Sequence, residues 1–178
     1  MIIAVTLTLF LQAAQPSALP PRNPALIRRG EAVAKINEAF DGLAERHGAD
    51  PAREDRLVAV LFTPGHCDLD GPSQTTSVAA YRDIKPGHPQ FDAIQSMVER
   101  YGAQPGETAD TFTTDDYFDL NAAVRCLPGG GRYMTGRRAA ELLGGGNTPS
   151  NMRLSREQFE RLLAFAVKAA DAEIAGTP

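Results

Sequence analysis

The chain of 178 residues carries a formal net charge of −4 at pH 7, which excludes the global positive field that recruits nucleic acid or an anionic membrane surface. Its 43% hydrophobic and 22% charged residues are proportions typical of a globular protein, and they exclude wholesale disorder. The composition therefore predicts a folded protein with no nucleic-acid partner.

The N-terminus is an uncharged apolar run from Met1 to Ala14, followed at once by a proline-rich stretch to Pro21. This pattern predicts a signal peptide over residues 1–18, and hence a periplasmic or secreted protein. Because basic residues are missing before the run, two alternatives stay open: an uncleaved membrane-tethering or buried helix, and a true start further upstream. Spanning a bilayer takes about 20 apolar residues, so no membrane span is predicted in the mature chain.

The two cysteines, Cys67 and Cys126, allow a single intramolecular pairing. In an oxidising compartment they are expected to form a disulfide, which would close a loop of about 60 residues and stabilise the fold by roughly 4 kcal/mol. The alternative is a free or metal-bound Cys67, since His66, Asp68 and Asp70 are its close neighbours in the sequence.

Two helices are predicted between residues 23 and 64. Asn23 followed by Pro24 suits a cap and a first helical turn, and apolar residues then recur at helical spacing as far as Gly48: Leu26, Val33, Ile36, Phe40 and Leu43. The second helix begins with another cap-plus-proline start, Asp50-Pro51. Its apolar second half would also suit a strand, but this opening favours a helix.

Three further helices are predicted in the middle of the chain. The first is a weaker helix over residues 73–84, and the second, over residues 91–101, has a clear apolar face that Gly102 ends. The third is expected to begin at Thr114 as N-cap, with Asp115 and Asp116 in its first turn, and to end before Pro128.

The last part of the chain predicts two more helices. A short one over residues 135–143 lies between two triple glycines, so this segment is expected to move as a unit. The final helix starts at a capping box of Ser155 and Gln158, with Leu154 and Phe159 as the hydrophobic staple. Together the elements predict an all-α bundle of about six helices, forming a single domain over residues 19–178.

One candidate site consists of metal-ligand residue types: His66, Asp68 and Asp70 in one loop and His88 in another. Imidazole and carboxylate groups bind zinc and related metals, but the spacing matches neither a closed zinc template nor a calcium-binding EF-hand loop. No cofactor is predicted on this pattern. A metal-dependent or carboxylate hydrolase centred on these residues is the alternative function.

A second candidate site is the basic segment with Arg132, Arg137 and Arg138, which has the glycine spacing of a phosphate-binding loop. Arginines stand where that loop requires a lysine and a hydroxyl residue, so the motif fails. What remains is a hypothesis of anion or acidic-partner binding by guanidinium groups beside glycine-rich backbone, against the alternative of an exposed basic helix face.

A third candidate is the acidic group of Asp115, Asp116 and Asp119, which would attract a cation or a basic partner. Its alternative is a solvated helix start, where carboxylates are favoured by the helix dipole. No nucleophile motif supports a catalytic reaction. The leading hypothesis is therefore an exported, non-enzymatic binding or envelope-associated interaction module with a protein or envelope partner.

Overall fold

The computed structural model describes residues 23–62, 67–68, 75–146 and 148–176; the predicted signal peptide lies outside them. Within these ranges the secondary structure is helical, without strands, and only isolated antiparallel bridges join extended residues. The prediction of an all-α fold of about six helices is confirmed. The α-helices are α1 (Arg29–His47), α2 (Glu54–Leu61), α3 (Phe91–Gln95), α4 (Leu120–Cys126), α5 (Gly136–Leu142) and α6 (Arg156–Ala175).

Helix α1 begins later than its cap-plus-proline signal predicts. The Asn23 side chain accepts a hydrogen bond from the backbone N–H of Ala25 at 3.0 Å, but this closes a local turn and not a helix. The chain then runs extended, and helical geometry starts at Arg29 after Arg28 at φ −96° and ψ 155°. The predicted start at Asn23 is wrong because the intervening residues pair with distant parts of the chain.

Three extended segments meet in a closed ring of backbone hydrogen bonds, which we call the junction. The N–H of Ile27 donates to the carbonyl of Leu154 at 3.0 Å, Leu154 donates to Phe118 at 3.1 Å, and Phe118 donates back to Ile27 at 3.1 Å. All three side chains are buried. Each residue lies two positions before a helix, so the junction places the beginnings of α1, α4 and α6 side by side.

Helix α4 likewise starts later than predicted, because residues 117–119 belong to the junction. Its N-cap is Asp119 and not Thr114: a carboxylate oxygen of Asp119 accepts the N–H of Ala122 at 2.8 Å. Thr113, just before the predicted start, has φ +57°, a conformation that no helix uses. The acidic residues at 115 and 116 therefore precede the helix.

The remaining elements divide into confirmed and corrected predictions. A 3-10 turn, Pro51–Arg53, capped by Asp50, leads into α2 as expected. Helix α3 continues as a π-helical turn, Ser96–Arg100, and Gly102 follows it with φ +64°.

The weak helix predicted over residues 73–84 is wrong within the described residues, where only the 3-10 turn Val78–Ala80 forms. This stretch lacks a continuous apolar face to bury.

Helices α1, α2 and α6 pack against one another, α1 also packs against α3, and every α-helix contributes residues to the core. Cys67 and Cys126 are joined, as predicted, and both are fully buried. The bond links the chain beyond α2 to the last residue of α4. In the described part of the chain, no helix is both long and apolar enough to cross a membrane.

The capping box of α6 forms as predicted. The N–H of Gln158 donates to the hydroxyl oxygen of Ser155 at 3.1 Å, and the N–H of Ser155 donates to the side-chain carbonyl of Gln158 at 2.9 Å. We expect Ser155→Ala to lower the free energy of unfolding by about 1 kcal/mol, because it leaves an orphan N–H in the first turn. Urea denaturation measures this loss. Ser155→Thr keeps the cap and is the control; equal stability of the alanine and wild-type proteins would contradict the prediction.

Candidate functional site

A cleft of about 220 Å³ opens beside the junction, between the beginnings of α1 and α4. Its position follows from the fold, because the junction brings the first residue of α1 next to the first turn of α4. The cleft combines guanidinium, carboxylate, phenol and amide groups. It is lined by Arg29, Glu107, Tyr117, Phe118, Asp119, Asn121 and Ala122.

Arg29 supplies the positive charge in the cleft and is short of hydrogen-bond acceptors. One of its terminal nitrogens, Nη1, donates to the carbonyl of Phe112 at 3.2 Å, whereas Nε is buried without a partner. Burial is the main cause that lowers the pKa of Arg29, and the charges of Glu107, Asp116 and Asp119 act in the opposite direction. A partly desolvated guanidinium of this kind gains strongly from an anion placed against it.

Two more arginines stack on Tyr117, which lines the same cleft. The guanidinium carbon of Arg28 lies 3.9 Å from the centre of the Tyr117 ring, and that of Arg153 lies 4.5 Å from it. Arg28 donates to the carbonyl of Asp115 and to the Tyr117 hydroxyl. The exposed Arg153 side chain has no hydrogen-bond or ion-pair partner among the described residues. We call Arg28, Arg29 and Arg153 around Tyr117 the arginine cluster.

The arginine cluster differs from most of the other described arginines in lacking carboxylate partners. Within the described ranges, Arg28 and Arg29 donate only to carbonyl or hydroxyl oxygens, and Arg153 to no acceptor. Among the described residues, these three guanidinium groups thus have no hydrogen-bonded carboxylate; Arg29 lines the cleft, and Arg28 and Arg153 lie against Tyr117 beside it. The arginines that pair with carboxylates are Arg46, Arg53, Arg82, Arg100, Arg132, Arg137, Arg138, Arg156 and Arg161.

Two carboxylates, Asp119 and Glu107, also line the cleft and oppose the positive charge. One oxygen of the Asp119 carboxylate is already committed to capping α4. Glu107 is exposed, and its carboxylate has no hydrogen-bond partner in the described part of the chain. Glu107 is therefore the negative group whose removal would most change the potential in the cleft.

The predicted basic segment forms ion pairs within the chain. Arg132 pairs with Glu173 at 3.0 Å, while Arg137 and Arg138 both pair with Glu141, at 3.2 and 3.1 Å. These contacts compensate part of the positive charge that was expected to attract an anion. Arg137 remains 90% exposed, and anion binding by this segment stays a prediction.

The predicted acidic group lies against the arginine cluster. The carbonyl of Asp115 accepts a hydrogen bond from Nη1 of Arg28 at 2.6 Å, and the carbonyl of Asp116 accepts the backbone N–H of Arg29 at 2.8 Å. With Asp119 acting as the cap of α4, the acidic and basic side chains share one region of the surface. Binding of a basic partner by these aspartates stays a prediction.

The predicted metal or hydrolase site is only partly described. His66 and Asp70 lie outside the described residues. Asp68 is half-buried with one carboxylate oxygen unpaired, and Nδ1 of His88 accepts the N–H of Gln90 at 3.2 Å. Cys67 is in the disulfide and so is not a thiolate ligand. Among the described residues, His, Cys, Asp and Glu form no group of three or more that would hold a metal ion, and the hypothesis stays untested at its central residues.

Comparison with known proteins finds one short similarity. A segment of 53 residues, 30% of this chain, is 43% identical to an uncharacterised protein of Synechocystis sp. (strain ATCC 27184 / PCC 6803 / Kazusa), and it spans 10% of that protein. No protein-family model matches the chain. No solved structure matches it.

Sequence reasoning missed the arginine cluster because its members are distant in the chain. The hydrogen bond from Arg28 to the Tyr117 hydroxyl spans 89 residues. The adjacent pair Arg28-Arg29 is the available signal, but the helix predicted to begin at Asn23 places both residues inside one continuous helix. To find the site, one would need to know that the extended residues before α1, α4 and α6 meet in the junction.

Proposed function

We propose that the protein is an exported, non-enzymatic binding module of the bacterial cell envelope, and that its arginine cluster holds an anionic group of an envelope component. The observation that carries this proposal is that Arg28 and Arg153 lie against the ring of Tyr117, that Arg29 lines the same cleft as Tyr117, and that none of the three has a hydrogen-bonded carboxylate among the described residues. Guanidinium groups bind carboxylates and phosphates through paired hydrogen bonds, and this chemistry defines the ligand class.

The geometry of the cluster favours binding over a simply charged surface. The cation–π contacts with Tyr117 restrict the side chains of Arg28 and Arg153, so less side-chain entropy is lost when a ligand binds. Burial of Arg29 strengthens its attraction for an anion because fewer water molecules screen the charge. A cleft of about 220 Å³ is small, which suits one charged substituent of a larger molecule.

The location in the envelope rests on two features that support each other. The apolar segment before residue 19 is typical of an export signal. The buried disulfide between Cys67 and Cys126 is typical of oxidising compartments such as the periplasm. A binding module in that compartment meets the acidic polymers and proteins of the envelope, which carry the anionic groups that the cluster suits.

Removing the charge of Arg29 is the direct test. We expect Arg29→Gln to weaken binding of acetate and inorganic phosphate by about tenfold or more, since a charge-assisted hydrogen bond contributes about 1.5–3 kcal/mol. Titrations followed by NMR measure both affinities. Binding to isolated bacterial envelope fragments, measured by co-sedimentation, is expected to fall in parallel.

The matched control is Arg137→Gln, which removes the same charge from a side chain that is 90% exposed. It is expected to leave acetate and phosphate binding unchanged. If Arg137→Gln abolished binding and Arg29→Gln did not, the anion site would lie on the basic segment and the proposal would be wrong.

Glu107→Gln distinguishes an anion site from a cation site, because the two kinds of site predict opposite changes in affinity for acetate and for calcium. We expect this change to tighten acetate binding by about two- to fivefold, because it removes the uncommitted negative charge from the cleft. Weaker acetate binding by this variant would count against the proposal. A calcium titration serves as the second arm, and a Glu107-dependent calcium signal would identify the cleft as a cation site.

A further inference from the structure

We infer that the ligand binds at a second point, formed by Asn121 and a small cavity beside it. The ligand recognised there is a carboxylate-bearing molecule that also has an amide and a compact acyl group. This inference rests on the proposed function, because it takes the anionic end of the ligand to lie at Arg29. It adds the amide and the acyl group that distinguish the ligand from a simple anion.

Asn121 belongs to the lining of two cavities. It lines the cleft that contains Arg29, and it also lines a second cavity of about 180 Å³. A ligand anchored at Arg29 and extending past Asn121 would therefore enter the second cavity. The residues that line this cavity are Leu120, Asn121, Val124, Gly136, Thr148 and Ser150.

The backbone around Asn121 is held in place while its side chain is free. The N–H of Asn121 donates to the carbonyl of Ser150 at 2.8 Å, and the N–H of Leu120 donates to the carbonyl of Met152 at 2.9 Å. The Asn121 side chain is exposed, and its amide has no partner among the described residues. A free amide offers one acceptor and two donor positions, which match an amide group of a ligand.

The second cavity suits a compact acyl group. Leu120 and Val124 contribute apolar surface, and Thr148 and Ser150 contribute the polar part of the lining. Gly136 is exposed at the edge of this lining, and a Cβ atom built there points into open space, with no atom within 4 Å. A short aliphatic chain entering the cavity would bury apolar surface without displacing protein atoms.

The test compares acetate, N-acetylglycine and N-butyrylglycine on the full chain by NMR titration. These probes share a carboxylate and then add an amide and a longer acyl chain. We expect the affinity to rise along the series, with a gain of up to about fourfold for each methylene that becomes buried. The affinity for acetate is expected to depend on Arg29 and not on Asn121.

Two variants test which residues produce the gain in affinity along the probe series. Asn121→Ala removes the amide, and Gly136→Val adds a branched side chain at the lining of the second cavity, where it meets no protein atom; both are expected to abolish the advantage of N-butyrylglycine over acetate. Gly131→Val is the matched control, because a Cβ atom there also meets no atom within 4 Å and Gly131 does not line the cavity. It is expected to keep the full gain.

The outcomes separate this inference from the proposed function. Equal affinities for the three probes, or a gain that survives in both Asn121→Ala and Gly136→Val, would overturn the second contact and leave the anion site intact. If none of the probes bound in an Arg29-dependent manner, the proposed function and this inference would both be wrong.

Discussion

Replacing Phe118 by alanine is expected to lower the free energy of unfolding by about 3–5 kcal/mol. Phe118 is 1% exposed, and its ring packs edge to face against Phe159, with the centres 5.8 Å apart. It also belongs to the junction, so the cavity would open where three segments of the chain meet. The loss includes the buried apolar area and the ring-to-ring contact.

Urea denaturation of the variant and the wild-type protein measures this loss. Phe62→Ala is the control, because Phe62 is 42% exposed and its truncation removes much less buried surface. We also expect Phe118→Ala to weaken anion binding, since Phe118 lines the cleft beside Arg29. Equal destabilisation by the two substitutions would contradict a central role for the junction in stability.

Removing the disulfide is expected to lower the free energy of unfolding by about 4 kcal/mol. Cys67 and Cys126 are 59 residues apart in the sequence, so the bond restricts a long loop of the unfolded chain. Both residues are fully buried, and the bond holds the end of α4 against the chain beyond α2. The double variant Cys67→Ala/Cys126→Ala avoids placing a hydroxyl in the core.

Denaturation with and without a thiol reductant completes this test. The wild-type protein is expected to lose stability once its disulfide is reduced, whereas the double variant is expected to be indifferent to the reductant. A double variant as stable as the oxidised wild-type protein would show that the bond adds nothing to stability, in conflict with the chain-entropy argument.

Helix starts show which sequence signals are reliable in this chain. The capping box at Ser155 predicts the beginning of α6 correctly, because its hydrogen bonds join residues only three positions apart. The starts predicted at Asn23 and Thr114 are wrong, although each has a suitable capping residue. In both places the next residues gain backbone partners from distant segments, and those bonds keep the chain extended.

The candidate site depends on the same distant contacts. Arg28 and Arg29 are adjacent in the sequence, but the sequence does not indicate that Tyr117 and Arg153 lie beside them. In the segments predicted as basic and acidic sites, Arg132 and Arg138 form ion pairs within the chain and the carboxylate of Asp119 caps α4. Charge counts along the sequence therefore located charged residues without showing which charges remain unpaired.

The sequence by itself determined the helical class, the start of α6 and the single possible cysteine pairing. These features depend on side chains three or four residues apart, or on a pairing that has no alternative. Only the tertiary structure decided where α1 and α4 begin, how the junction closes, and which of the described arginines have no hydrogen-bonded carboxylate. Those outcomes depend on contacts between segments that are far apart in the sequence, whose register no local pattern specifies.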